Sequence, residues 1–143
     1  MMRNRTAAFS LSCVHPETVK KIILGLKNSK ASGMDDIDTY TIKLMADATL
    51  PAITHLVNLS IKQASFPALY KKAKVIPLFK KDDPLLPKNY RPVAILCIVS
   101  KVIERAVFLQ IVEYMSTNDL FHPNHHVCAK FQHSNLFRSV HAT

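Results

Sequence analysis

The run AKVIPLFKKDDPLLPKNYRPVAIL, residues 73–96, interrupts a chain that otherwise reads as helices. Its two arms, AKVIPLFKK and NYRPVAIL, are short and rich in Val, Ile and aromatics, the composition of strands. Between them, DDPLLPK joins two prolines to paired aspartates, so the arms form a candidate β-hairpin of the longer-loop kind. Pro77 and Pro92 each remove a ladder donor, which puts these strands at sheet edges or makes their ends irregular.

Upstream, VHPETVKKIILGLKNSKASG reads as a helix that begins at Pro16, where a missing N–H costs nothing. Glu17 complements the positive end of its dipole, and Val19, Ile22, Ile23 and Leu26 make an apolar stripe opposite lysines. Gly33 is expected to end it. A second helix starts near Asp38 or Thr39, either of which can cap it, and carries Ile42, Leu44 and Met45 to a break near Leu50-Pro51. A third, with Ile53, Leu56, Val57, Leu59 and Ile61, stops before Phe66-Pro67. Downstream, Ile98 to Ser116 is the strongest helix, with Val99, Val102, Ile103, Ala106 and Val107 three and four residues apart. The expected fold class is α+β, mostly helical, with one two-stranded antiparallel hairpin lying against that last long helix. Residues 1–11 read as a tail, 12–121 as one domain and 122–143 as a His-rich tail.

With 143 residues, 48% of them apolar and 20% charged, the chain is large enough for a real core and unlike a disordered protein. No apolar run approaches the roughly 20 residues of a membrane-spanning helix. MMRNRTAAFSLS lacks the apolar stretch of a secretory signal, so an intracellular site, nuclear or cytoplasmic, is expected. The net charge of +9 suits an anionic partner such as nucleic acid, although a soluble basic protein has the same composition. Cys13, Cys97 and Cys128 are odd in number and far apart, which fits a reducing compartment, with Cys97 buried and inert. Two glycines in the whole chain exclude glycine-rich nucleotide cradles, and no hydrolase or zinc-protease signature is present.

The charges concentrate at the hairpin. Lys71, Lys72, Lys74, Lys80, Lys81, Lys88 and Arg91 lie in or beside it, and alternation along a strand can turn several toward one phosphate chain. The guanidinium of Arg91 matches phosphate oxygens, and Tyr90 beside it can stack on a base or sugar. A lysine-blunted edge strand explains the same residues equally well. Asp35-Asp36 has the look of a polymerase's metal-holding carboxylates, but SKASG before it and IDTYT after it are not strands. A turn followed by a helix cap accounts for Gly33, Asp36 and Asp38. Asp82-Asp83 reads as a solvated hairpin tip beside lysines. His122, His125, His126, Cys128 and His133 are all metal-binding types, but their spacing matches no closed zinc module and a polar tail describes them better.

Taken in order, LKNSKASGMDDID, then NLSIKQASFPALYKKAKVIPLFKKDDPLLPKNYRPVAIL, then SKVIERAVFLQIVEYM resemble the N-terminal part of a reverse transcriptase domain from non-LTR (LINE-like, jockey-like) retrotransposons. The resemblance runs from about Val14 to Pro123. It implies the fingers region of a right-handed, RNA-directed DNA polymerase, with an RNA or DNA template-primer and a deoxynucleotide triphosphate as partners and no membrane. Matched by motif, Lys80, Lys81 and Arg91 would meet the nucleotide's triphosphate, and Lys30, Lys74 and Tyr90 the template. Val127-Cys128-Ala129 stands where the family has a glycine-aromatic-arginine triplet, as a shifted frame or alternative exon would produce. The family's catalytic, metal-binding aspartates belong to palm strands beyond the quoted segments. The expectation is therefore a truncated polymerase with no catalytic or metal residue and no cofactor of its own, Mg²⁺ being implied for the complete domain; the alternatives are a non-catalytic basic fragment that binds RNA or DNA and a decayed element product without function. Apolar faces that a palm would cover are expected to favour self-association.

Overall fold

A computed structural model describes residues 8–121. The histidine and cysteine constellation from His122 to His133, the Val127-Cys128-Ala129 departure and most of the residues 1–11 read as a tail lie outside them. The elements run α1 (Pro16–Gly25), α2 (Thr39–Leu44), α3 (Ala46–Lys62), β1 (Ala73–Phe79), β2 (Tyr90–Leu96) and α4 (Ile98–Thr117). Short 3-10 turns at Ala68–Lys71 and Pro87–Asn89 precede the two strands. The described residues are thus mixed helix and strand, with one two-stranded antiparallel sheet, as the sequence predicts.

α1 is capped by His15, whose imidazole Nδ1 accepts the Glu17 N–H at 3.3 Å, and it buries Val19, Ile22 and Ile23. It ends at Gly25, eight residues before the expected stop at Gly33. The intervening polar residues bond in ways that compete with a helix. Ser29 Oγ accepts from the Ala31 N–H at 3.1 Å, the Ser29 carbonyl accepts from Thr39 at 3.3 Å, and Asn28 Oδ1 takes the Lys43 ammonium at 2.7 Å.

The second correction concerns the break between α2 and α3. It falls at Met45, and α3 runs straight through Pro51. An interior proline costs about 3 kcal/mol through its missing donor and its clash with the preceding turn. Ile53 and Val57, both on the buried stripe of α3, each return about 1.5–3 kcal/mol of burial. The packing stripe therefore outweighs the local breaker. In α2 only Thr39 and Ile42 are buried, while Leu44 and Met45 are exposed.

α1 packs on α3, and α2 touches both. The chain enters α1 through a clamp that sequence reasoning missed. Asn58 of α3 accepts the Val14 N–H through Oδ1 at 2.7 Å and returns Nδ2 to the Val14 carbonyl at 3.0 Å, pairing with that residue as a neighbouring strand would. Residues 12–106 form one compact unit, whose core includes these helices together with Cys97, Ile98, Val102, Ile103 and Ala106. A second unit contains the described residues 8–11 and 107–121. In it the Phe9 ring, from the segment read as a tail, meets that of Tyr114 with centroids 5.1 Å apart.

The hairpin does not lie against the long helix as expected. Every residue from Lys74 to Phe79 and from Arg91 to Ala94 is exposed, so no helix covers either face. Only its root is held: Leu96 leads through the single residue Cys97 into α4, and Ser100, wholly buried, donates Oγ–H to the Tyr70 carbonyl at 3.1 Å. Both faces of the sheet carry apolar side chains, so no polar face marks one side as outward.

Candidate nucleic-acid interface

Strand register places the charged residues. Ala73 pairs with Leu96, and the series continues through Pro77 opposite Pro92 and Leu78 opposite Arg91 to Phe79 opposite Tyr90. The Lys80 N–H donates to the Asn89 carbonyl at 2.9 Å, which makes that pair a hydrogen-bonded one. Hydrogen-bonded and non-hydrogen-bonded pairs alternate, so Pro77 and Pro92 meet at a non-hydrogen-bonded pair. Neither proline costs the ladder a bond, because the N–H it lacks would have pointed away from the partner strand.

Directly opposed residues share a face. Lys74, Ile76, Leu78 and Lys80 therefore lie with Ile95, Val93, Arg91 and Asn89 on one side. Lys80 and Arg91 are diagonal neighbours there, a separation of about 7–8 Å between backbones. Both are exposed, and among the described residues neither has an acidic partner. Two uncompensated cations at that spacing on a face that also offers Leu78 and Val93 can span adjacent phosphates of one strand.

The other sequence-predicted residues are more dispersed. Lys74 shares the face, but it lies six residues back along the strand, roughly 20 Å away, with its ammonium 3.6 Å from Asp36. Lys81 lies beyond the ladder in the bend that opens the loop. Tyr90 occupies the opposite face. Its ring meets Phe79 with centroids 5.4 Å apart, and its hydroxyl donates to the Pro84 carbonyl at 2.9 Å. Lys30 is exposed in the α1–α2 connection, near the cap of α2. There the Thr41 N–H bonded to Asp38 holds that carboxyl below its usual range, and the charge of Lys30 adds a smaller lowering.

Besides Tyr90, two side chains build the loop carrying Lys81 and Lys88. Asp83 Oδ1 accepts the Leu85 N–H at 2.9 Å, and the buried Asn89 donates Nδ2–H to the Asp83 carbonyl at 2.7 Å. Asn89 is thus a positioning residue that sequence reasoning did not single out; its only signal is an Asn at the start of a strand.

The adjacent carboxylates face other duties than holding a metal. Asp35 Oδ1 accepts the Ile37 N–H at 3.4 Å, and Asp36, at a positive φ of 52°, accepts the Ser32 hydroxyl at 3.5 Å. Asp82 likewise sits in a turn, at φ 71°. None of these pairs joins a third acidic, histidine or cysteine donor, and no such cluster occurs among the described residues. The turn at Gly33 serves packing: a Cβ there would come within 2.7 Å of the Cys97 nitrogen, so only glycine lets the loop pass the hairpin root. No helix among the described residues is long and apolar enough to cross a membrane.

No protein-family model matches the chain. Its sequence is 34% identical over 98 residues to the RNA-directed DNA polymerase from mobile element jockey of Drosophila melanogaster. The probable RNA-directed DNA polymerase from transposon X-element of the same fly is 31% identical over 106 residues. This chain belongs to the reverse transcriptases of jockey-like mobile elements. The jockey alignment covers 68% of this chain but 11% of the jockey protein, and the X-element alignment covers 73% and 12%. A third relative, the probable polymerase from transposon BS, is 24% identical over 127 residues, 86% of this chain. The chain therefore spans about a tenth of the length of the relatives it matches.

Proposed function

We propose that these residues are the fingers part of a mobile-element reverse transcriptase, binding an RNA or DNA template-primer and the incoming deoxynucleotide triphosphate. The observation that carries this reading is the pairing of Lys80 with Arg91 on one exposed strand face, in a chain related to RNA-directed DNA polymerases. Lys80 and Arg91, with Lys81 at the loop mouth, meet phosphates, those of the triphosphate in a complete polymerase and those of a single strand bound to this chain alone; Lys74 and Lys30 follow the template backbone. Tyr90 acts from the other side of the sheet, by fixing the loop that carries Lys81 and Lys88. In this reading the described residues supply binding and the metal-holding carboxylates belong to the palm; Asp35 and Asp83 accept turn N–H groups and Asp36 faces Lys74. Mg²⁺ belongs to the complete domain.

Binding of single-stranded RNA, titrated with salt, tests this. Each phosphate contact contributes about 0.7 to the slope of log affinity against log salt for single strands. Lys80→Ala/Arg91→Ala is expected to flatten that slope by roughly 1.4. A slope and affinity unchanged in the double variant would sink the assignment of this face. Primer extension with the purified chain and Mg²⁺ is expected to yield no product. Product that disappeared with Arg91→Ala would show that the chain catalyses by itself.

A further inference from the structure

Asp36 belongs to a turn, yet its carboxylate reaches the charged face of the hairpin. Its Oδ1 lies 3.6 Å from the Lys74 ammonium, which joins the α1–α2 connection to the start of β1. The same connection touches the end of β2, where Gly33 lies against the backbone of Leu96 and Cys97. Ala73 pairs with Leu96 and Lys74 with Ile95, so both contacts fall on the root of the hairpin. The turn thus brings one negative charge to the root of a face whose other cations, Lys80 and Arg91, have no acidic partner among the described residues.

The two members of this pair differ in freedom. The turn is pinned, because no side chain fits at Gly33 and the Asp36 N–H donates to the Gly33 carbonyl at 3.4 Å. Asp36 itself has a φ of 52°, a left-handed backbone that Asp and Asn tolerate better than most residues. Its carboxylate stands on a single methylene and also accepts the Ser32 hydroxyl at 3.5 Å. The ammonium of Lys74 stands on a flexible four-carbon stem. The carboxylate therefore stays at the root, and the ammonium is the group that can leave. With side chains 48% and 80% exposed, the pair is open to an incoming anion and weak enough to exchange.

We propose that Asp36 competes with the phosphates of a bound single strand for the Lys74 ammonium. A phosphate gains Lys74 only by displacing the carboxylate, so one charged contact is lost as another forms and the net gain is small. The strand is then held mainly at the tip of the face by Lys80 and Arg91, and Asp36 sets how firmly the root joins in. Lys74 touches the phosphate, and Asp36 is a positioning residue that acts through it. The inference rests on the phosphate-binding reading of this face.

A double-mutant cycle on the affinity for polyuridine RNA at low salt tests it. Asp36→Asn, which keeps a side chain suited to the left-handed backbone, is expected to tighten binding about two- to fivefold. In a Lys74→Ala background the same substitution is expected to change the affinity little. Asp35→Asn removes an equal charge one residue away, from a carboxylate that accepts the Ile37 N–H instead, and is expected to give a clearly smaller gain. Should Asp36→Asn disturb the fold by circular dichroism, Asp36→Gly, which suits the same φ, replaces it. No gain, a gain that persists without Lys74, or equal gains from the two carboxylates would each overturn the competition. Lys80→Ala/Arg91→Ala separates the two readings. If that double variant flattens the salt slope and the cycle shows no coupling, only the role of Asp36 falls. If the slope is unmoved, the phosphate face falls and the role of Asp36 with it.

Discussion

At Gly33 the Leu96–Cys97 backbone leaves no room for a side chain: an added Cβ would lie 2.7 Å from the Cys97 nitrogen and 2.8 Å from its Cα. Neither atom can swing aside, because Cys97 is the single residue between β2 and α4. Gly33→Ala is expected to destabilise the chain by about 1–3 kcal/mol, the usual cost of overpacking, measured by denaturant unfolding. A change below the error of the measurement would mean that the loop shifts freely. Asp38 supports a pH prediction. The Thr41 N–H, 2.6 Å from its carboxylate, holds its pKa below the ordinary carboxylate value. Its stabilisation is therefore complete above the unfolded value near ~3.9, and it is lost as the pH falls through the lower folded value. Asp38→Asn keeps an acceptor at the cap and is expected to blunt the fall in melting temperature on acidification; an unaltered acid slope would assign that fall to other groups. Both residues are visible in the sequence. That Gly33 makes room for a passing backbone, whereas Asp38 caps a helix, depends on a contact between segments more than 60 positions apart in one case and on neighbours three positions apart in the other.

Among the elements, α3 separates local preference from packing. Pro51 removes the donor to the Asp47 carbonyl, yet the helix continues because Ile53 and Val57 are buried. Pro51→Ala is expected to stabilise the chain by about 1–3 kcal/mol, as the missing bond returns and the ring's clash is relieved, a gain only partly offset by the freedom the unfolded chain acquires. A lower melting temperature would show that the proline packs usefully in the native state. The amphipathic stripes of α1, α3 and α4 and the two short β runs were legible, because their periodicities are properties of consecutive residues. The ends were less so. α1 stops at Gly25, where the side chains of Asn28 and Ser29 find partners outside a helix, and the α2–α3 break falls at Met45 instead of at Pro51. The Asn58–Val14 clamp spans 44 positions and leaves no local trace. In the hairpin, period-two alternation was enough to foresee converging charges. Only the register assigns Arg91 and Lys80 to one face and Tyr90 to the other.

For the molecule as a whole, the described residues give two chemistries to one hairpin. One face carries Lys74, Lys80 and Arg91, and the other is uncharged. Rising salt is expected to weaken RNA binding on the first, read as a fall in affinity across a salt titration. An affinity that salt does not move would mean that the charged face carries no phosphate contact. By itself the sequence determined the mixed helix-and-strand class, the basic character of the hairpin and the relationship to jockey-like reverse transcriptases, since composition, local periodicity and ordered motifs persist in the unfolded chain. The tertiary structure alone decided that both faces of the hairpin are exposed, that Gly33 lies under its root, and which charges share a side. Those outcomes depend on how distant backbones approach and how two strands register, and a one-residue slip would reverse every face while leaving the composition unchanged.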